Sequence, residues 1–303
     1  MHRISADAET GASSRPDETV ALVTASYAPD FERCRLLCES IDRFVTGAQK
    51  HYLLVAGNDV ALFRRLEGPR REVVDERDLL PSWLHSIPDP ASLFRRRIWL
   101  SLRTPPLRGW HAQQLRRLAI AGKLSAAGLL YCDSDVIFLK GFDVSALWKD
   151  GALRFYRHDS ALPVETGPGH AEWYANAGFA LGLAGNVAQP HDYITNPVQW
   201  RRDTVVSMLS HIEARHGRHW IEAIAARRHF SECILYGRYV DEVLEGRGHC
   251  HDGTALAQVN WFGPALDEER LQALIDSMVP GQVAVCVQSF TGTDLDLMRR
   301  LLA

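Results

Sequence analysis

Between Leu129 and Phe142 the chain reads LLYCDSDVIFLKGF, two apolar runs with a pair of aspartates between them. Short runs rich in Leu, Val, Ile and aromatics predict buried β-strands. An unpaired carboxylate is costly to bury, so neither aspartate belongs inside such a strand. Asp133 and Asp135 are therefore expected where the first run ends. In open α/β sheets, ligands bind beyond the carboxyl ends of the strands. Two residues apart in extended chain, the carboxylates point to one side. Held together they favour a divalent cation. Mg2+ or Mn2+ suits one or two carboxylates completed by phosphate oxygens.

The flanking sequence predicts a sheet of that kind. Thr19–Tyr27 (TVALVTASY) reads as a first strand, Pro29-Asp30 as a break, and Phe31 to Phe44 as a helix with apolar residues at helical spacing. His51–Ala56 (HYLLVA) and Glu72–Val74 predict the second and third strands. Strand, helix and strand at these spacings give βαβ units, hence an α/β fold with a mostly parallel sheet flanked by helices. Pro81 to Pro106, rich in Pro and Arg, predicts a long loop with a helical turn through Phe94–Leu102. A helix then runs from Trp110 and is closed by Gly128, delivering the chain into the Asp-x-Asp strand. Further on, Arg201–His216 and Arg218–His229 predict helices, and Ser231 caps another. His249–Asp252 falls in a loop, and Gln282–Val287 with Asp294–Leu302 gives a last strand and helix.

Composition narrows the function. The chain has 303 residues, 46% hydrophobic and 23% charged, ordinary for a soluble globular protein. A net charge of −3 lacks the basic surplus of a nucleic-acid binder. No apolar stretch approaches the roughly 18–20 residues that span a bilayer. The first 18 residues have no signal-peptide core and predict a disordered lead-in. A cytoplasmic protein is expected, with peripheral contact at the inner face of the membrane left open. Six scattered cysteines read as reduced thiols, with Cys34 and Cys38 packing on one helix face.

Several short pieces in order carry a resemblance: Thr24-Ala25-Ser26-Tyr27 after the first strand, Gly109–Leu115 (GWHAQQL), Tyr131–Asp135, Ser231–Gly237 (SECILYG), and Cys250-His251. Through them the chain resembles the GT-A glycosyltransferases and, more narrowly, the GT-A-like bacterial DUF6492 family. The resemblance implies one GT-A-like domain over residues 19–303 with a Rossmann-like, mostly parallel mixed sheet. Residues 19–140 would form the nucleotide-sugar and metal half, and 141–303 the acceptor half. It implies transfer of a sugar from a UDP- or GDP-sugar to a bacterial glycan or glycolipid. Asp133 and Asp135 would hold Mn2+ or Mg2+ against the donor diphosphate, and a late histidine, His251, would complete the metal shell. Thr24 and Tyr27 would line the base and ribose.

The remaining candidates rest on local chemistry. His111 and Gln114 lie three apart in a first helical turn, where free N–H groups attract anions such as diphosphate. In inverting GT-A families a carboxylate opening a late helix takes the acceptor's proton, and Glu232 matches that placement. In a retaining enzyme Glu232 would instead bind the acceptor. Trp173, Tyr193, Asn196 and Trp200 offer rings to stack on sugars and an amide to bind hydroxyls. Two other readings use the same residues. A nucleotidyltransferase or phosphohydrolase could use the aspartate pair, although TASYAPDFERC lacks the glycine run of a phosphate loop. A non-catalytic GT-A-like binding module is the other.

Overall fold

A computed structural model describes residues 18–159, 169–184 and 191–302. The expected lead-in, Glu18 apart, lies outside them. The chain opens with β1 (Val20–Ala25), buried on both faces, followed by α1 (Phe31–Phe44). Next come β2 (His51–Val55) and β3 (Arg71–Asp75). A small antiparallel sheet then forms from β4 (His85–Pro88), β5 (Arg97–Leu100) and β6 (Leu107–Arg108). α2 (Gly109–Ile120) leads to β7 (Gly128–Tyr131) and β8 (Val136–Phe138). The second half comprises β9 (Ala152–Tyr156), α3 (His170–Leu181), β10 (Val198–Arg201), α4 (Arg202–His216), α5 (Trp220–Ala225) and α6 (Glu232–Arg238). β11 (His249–Asp252), β12 (Ala257–Asn260) and β13 (Ala284–Val287) complete the strands that bear on the site.

The central sheet has the order β10-β7-β1-β2-β3. β7, β1, β2 and β3 run parallel, and β10 is antiparallel to β7. The chain winds outward from β1 through β2 to β3, then crosses back to set β7 on β1's other side. That reversal makes the β1/β7 boundary a switch point, where a crevice opens beyond the carboxyl ends. Val23 pairs with Tyr131, so the two strands end side by side. Alternation along β1 divides the core. Ala21, Val23 and Ala25 pack with α2, α3, α4 and α6, while Val20 and Leu22 pack with α1 and β8. All six cysteines are free, and Cys34 and Cys38 lie buried in the core as expected.

Several local expectations are corrected. Phe94–Leu102 is not helical; Arg97–Leu100 is a strand, because Ile98 and Trp99 pair across to β4 and β6 and Trp99 is buried there. α2 stops at Ile120. Gly128 opens β7, where an added Cβ would come within 3.2 Å of Val20 and Trp148. His249–Asp252 is a strand parallel to β9.

Candidate active site

The link between β7 and β8 is a turn rather than extended chain, since the Val136 N–H donates to the Asp133 carbonyl at 3.1 Å. Ser134, between the aspartates, is buried, and its hydroxyl meets that of Ser26 at the end of β1 at 2.8 Å. This ties the turn to the crevice and gives the two carboxylates different surroundings. Asp133 keeps its side chain 32% exposed and faces Arg117 at 3.5 Å. Its backbone N–H donates to Asn196 Oδ1 at 3.2 Å. Asp135 is only 9% exposed. Its Oδ2 accepts from the Ser289 backbone N–H at 3.0 Å. Its Oδ1 is buried without a hydrogen-bond partner among the described residues, with Arg33 Nε 3.9 Å away. Burial above all pushes the Asp135 carboxyl up to about 7, with Asp133 and Asp30 adding to the rise and the Ser289 N–H and Arg33 opposing it.

Glu232 stands at the start of α6, capped by Ser231, whose hydroxyl accepts from the Ile234 N–H. Its own N–H donates to Gln114 Oε1 at 2.9 Å. Arg117 on α2 joins it to the aspartates: one guanidinium nitrogen lies 2.9 Å from Glu232 and 3.5 Å from Asp133. That guanidinium rests on the Tyr131 and Trp200 rings, 5.0 and 5.6 Å from their centroids. Burial lifts Glu232 above the usual carboxylate range, although Arg117 pulls it back. Burial works against the charge on Arg117, but Glu232 and Asp133 more than offset it.

The structure brings Asp133, Asp135, Glu232, Gln114 and Asn196 to one rim, with Tyr27 beside them. Tyr27 is half exposed, and its phenol is raised by burial and then by the charges of Asp30 and Asp135. Thr24 is placed elsewhere: its hydroxyl bonds to His51 at 2.9 Å inside the core. His111 caps its own helix, accepting from the Arg108 N–H, and its other ring nitrogen meets the Arg228 carbonyl at 2.6 Å. Trp200 is 1% exposed, stacked on Tyr236 and tilted against Tyr131, so no ring face is open. Tyr193 is likewise buried, with its hydroxyl donating to Asp241 at 2.8 Å. Trp173 lies 5.8 Å from the exposed Trp110. His251 on β11 meets Asp241 Oδ1 at 2.7 Å. Among the described residues no three His, Cys, Asp or Glu side chains gather as a metal site, so His251 is not brought to Asp133 and Asp135.

The pair itself suits a cation that phosphate oxygens would complete. Asp135 offers a buried oxygen with no hydrogen bond, and its electrostatic coupling to Asp133 disfavours two bare charges. Sequence reasoning missed Arg117, Arg33 and Asp30. A signal for Arg117 existed: it is one of an arginine pair, Arg116-Arg117, set between Leu115 and the apolar Leu118 to Ile120, and both arginines are buried.

The family of unknown function DUF6492 matches residues 19–302. No curated protein matches the chain by sequence. Among solved structures, the galactosyltransferase LgtC in complex with donor and acceptor sugar analogs aligns with a TM-score of 0.50 at 14% identity, over 93% of this chain and 95% of that one. An active-site mutant of LgtC gives 0.45 at 14% identity, over 88% and 86%. The apo-form glycosyltransferase GlyE of Streptococcus pneumoniae gives 0.39 at 12% identity, over 88% and 54%. At these identities the likeness is one of fold, and the fold is GT-A-like, as the motif order implied.

Proposed function

The chain belongs to the DUF6492 family, and from that membership and its GT-A-like fold we propose that it is a metal-dependent glycosyltransferase. The donor is a UDP- or GDP-sugar in the crevice beyond β1 and β7, contacted by Tyr27 from the half spanning residues 19–140. Asp133 and Asp135 would hold the Mn2+ or Mg2+ ion, which when bound offsets the charge of the diphosphate leaving group. The acceptor, a bacterial glycan or glycolipid, approaches from the half spanning residues 141–303, with Trp173 and its neighbour Trp110 offering ring faces. Glu232 takes the proton of the attacking hydroxyl. The acceptor oxygen bonds to the anomeric carbon as the bond to the phosphate oxygen breaks, and the nucleoside diphosphate leaves with the electron pair. That course inverts configuration. Arg117 helps keep Glu232 ionised and fixes it relative to Asp133. Among the described residues no helix is long and apolar enough to cross a membrane. We place the enzyme in the cytoplasm, meeting lipid-linked acceptors at the inner face of the membrane.

The observation carrying this reading is the buried, unbonded Asp135 oxygen beside Asp133 at the sheet's switch point. The test is release of nucleoside diphosphate from a panel of UDP- and GDP-sugars, with and without Mn2+. Turnover of one donor that needs the ion and is lost in Asp135→Asn supports the proposal. Turnover unchanged by chelation and by that substitution contradicts it. The ion pair of Glu232 with Arg117 favours a second reading, in which Glu232 only anchors the arginine. Under that reading Glu232→Gln keeps the turnover; under ours it loses about 100-fold or more.

A further inference from the structure

The turn joining β4 and β5 has a surface chemistry that the fold does not use. The turn is closed by its own hydrogen bonds. Asp89 N–H donates to the Arg96 carbonyl at 2.8 Å, Phe94 N–H to the Asp89 carbonyl at 3.0 Å, and Ala91 N–H to the Asp89 carboxylate at 3.0 Å. Leu93 and Phe94 take left-handed backbone angles, φ of 53° and 63°, which bulky residues seldom adopt. The result holds both side chains out of the protein, 75% and 69% exposed, with Ile87 at 38% beside them. Arg95 and Arg96 follow directly and are exposed. From Leu79 to Arg108 the sequence has five arginines and one acid, Asp89, in a protein of net charge −3. Arg103 is paired with Glu222 at 3.1 Å and Arg97 bonds Ser86, which leaves Arg95 and Arg96 as the exposed charges next to the tip. Apolar side chains followed by exposed arginines match a surface that is apolar beneath and anionic above.

We propose that this hairpin tip docks the protein on an anionic lipid bilayer, with Leu93 and Phe94 entering the headgroup region and the arginines meeting lipid phosphates. Three apolar side chains at a tip are too few to build a stable protein interface. A second copy would bring arginines against arginines. Arg96, where the turn closes onto β5, is near enough to Tyr27 at the crevice for its charge to act on the phenol. Docking there would set the crevice against the bilayer. The inference stands on the hairpin alone and does not need the transferase reading.

The test is sedimentation of the full chain with vesicles of phosphatidylcholine alone, or of equal parts phosphatidylcholine and phosphatidylglycerol. The protein should bind the mixed vesicles, release them at high salt, and ignore phosphatidylcholine. Leu93→Asp with Phe94→Asp should weaken binding by about 100-fold, and Arg95→Glu by about tenfold. Both variants should stay folded with an unfolding midpoint near the wild type's, because these side chains are largely exposed. The proposal is overturned by failure of the wild type to bind the mixed vesicles, by equal binding to both compositions, or by variants that bind like the wild type. A vesicle-free dimer abolished by the double substitution would overturn it too, assigning the tip to a second copy.

Discussion

Arg117 should be the most sensitive position in the site. Arg117→Met keeps an unbranched side chain in place of the arginine stem but removes the guanidinium that rests on the Tyr131 and Trp200 rings and faces Glu232 at 2.9 Å. Glu232 is 5% exposed, so its carboxylate would then be buried without its cation. Removing one partner of a buried pair typically costs about 3–5 kcal/mol. Asp133, with its side chain 32% exposed, can turn to water and adds little. For a chain of this size that loss is a drop of about 6–10 °C in midpoint, at about 2 °C per kcal/mol. The sign of the pH dependence follows from Glu232. Its folded pKa already lies above the unfolded value through burial, and losing Arg117 raises it further. A group raised in this way destabilises as pH rises from its unfolded value through its folded pKa, so the deficit grows with pH and shrinks in acid as Glu232 takes up a proton. Urea unfolding of wild type, Arg117→Met, Glu232→Gln and the double variant closes the cycle. Glu232→Gln should restore most of the stability that Arg117→Met loses. A deficit below about 1 kcal/mol, or no rescue, would refute the coupling of Arg117 to Glu232.

Two further outcomes follow from the second half of the chain. His249 is buried with its ring nitrogen 2.7 Å from the Tyr236 hydroxyl, and burial lowers it to about 4. The unfolded chain therefore binds the extra proton between about pH 6.5 and 4, so stability should fall by roughly 3 kcal/mol across that window; His249→Gln should flatten the acid limb of the unfolding midpoint against pH. Gly237→Ala should destabilise by about 1–3 kcal/mol, because a Cβ there would lie 2.2 Å from the Tyr193 ring. Adding Tyr193→Leu should recover part of that loss in thermal unfolding, and no recovery would place the strain elsewhere.

The parts of this protein that were legible in its sequence are those where one local pattern decides the outcome. α1 begins and ends at Phe31 and Phe44 as its periodicity requires, and Ser231 marks the start of α6. The Asp-x-Asp turn falls beyond β7, where the apolar run ends, with Asp133 partly exposed and Asp135 buried against the Ser289 N–H. Features set by distant partners were not legible. Trp200 reads as a sugar platform, yet it belongs to β10, where pairing with β7 and stacking on Tyr236 close both faces. Thr24 reads as a rim hydroxyl, but alternation along β1 turns it toward His51. His251 reads as a metal ligand, while the chain after α6 sets Asp241 against it. Arg117 carries no site role in the sequence reading. Only the placement of α6 reveals what its charge meets.

The central claim is that Asp133 and Asp135 bind a cation that binds a nucleoside diphosphate. Calorimetric titration of UDP and GDP into the protein, with and without Mn2+, for wild type and Asp135→Asn, tests it most directly. The account predicts binding of one nucleotide that requires Mn2+ and disappears in a folded Asp135→Asn variant. Binding that ignores both the ion and the substitution, or no binding of either nucleotide to the folded wild type, would contradict it.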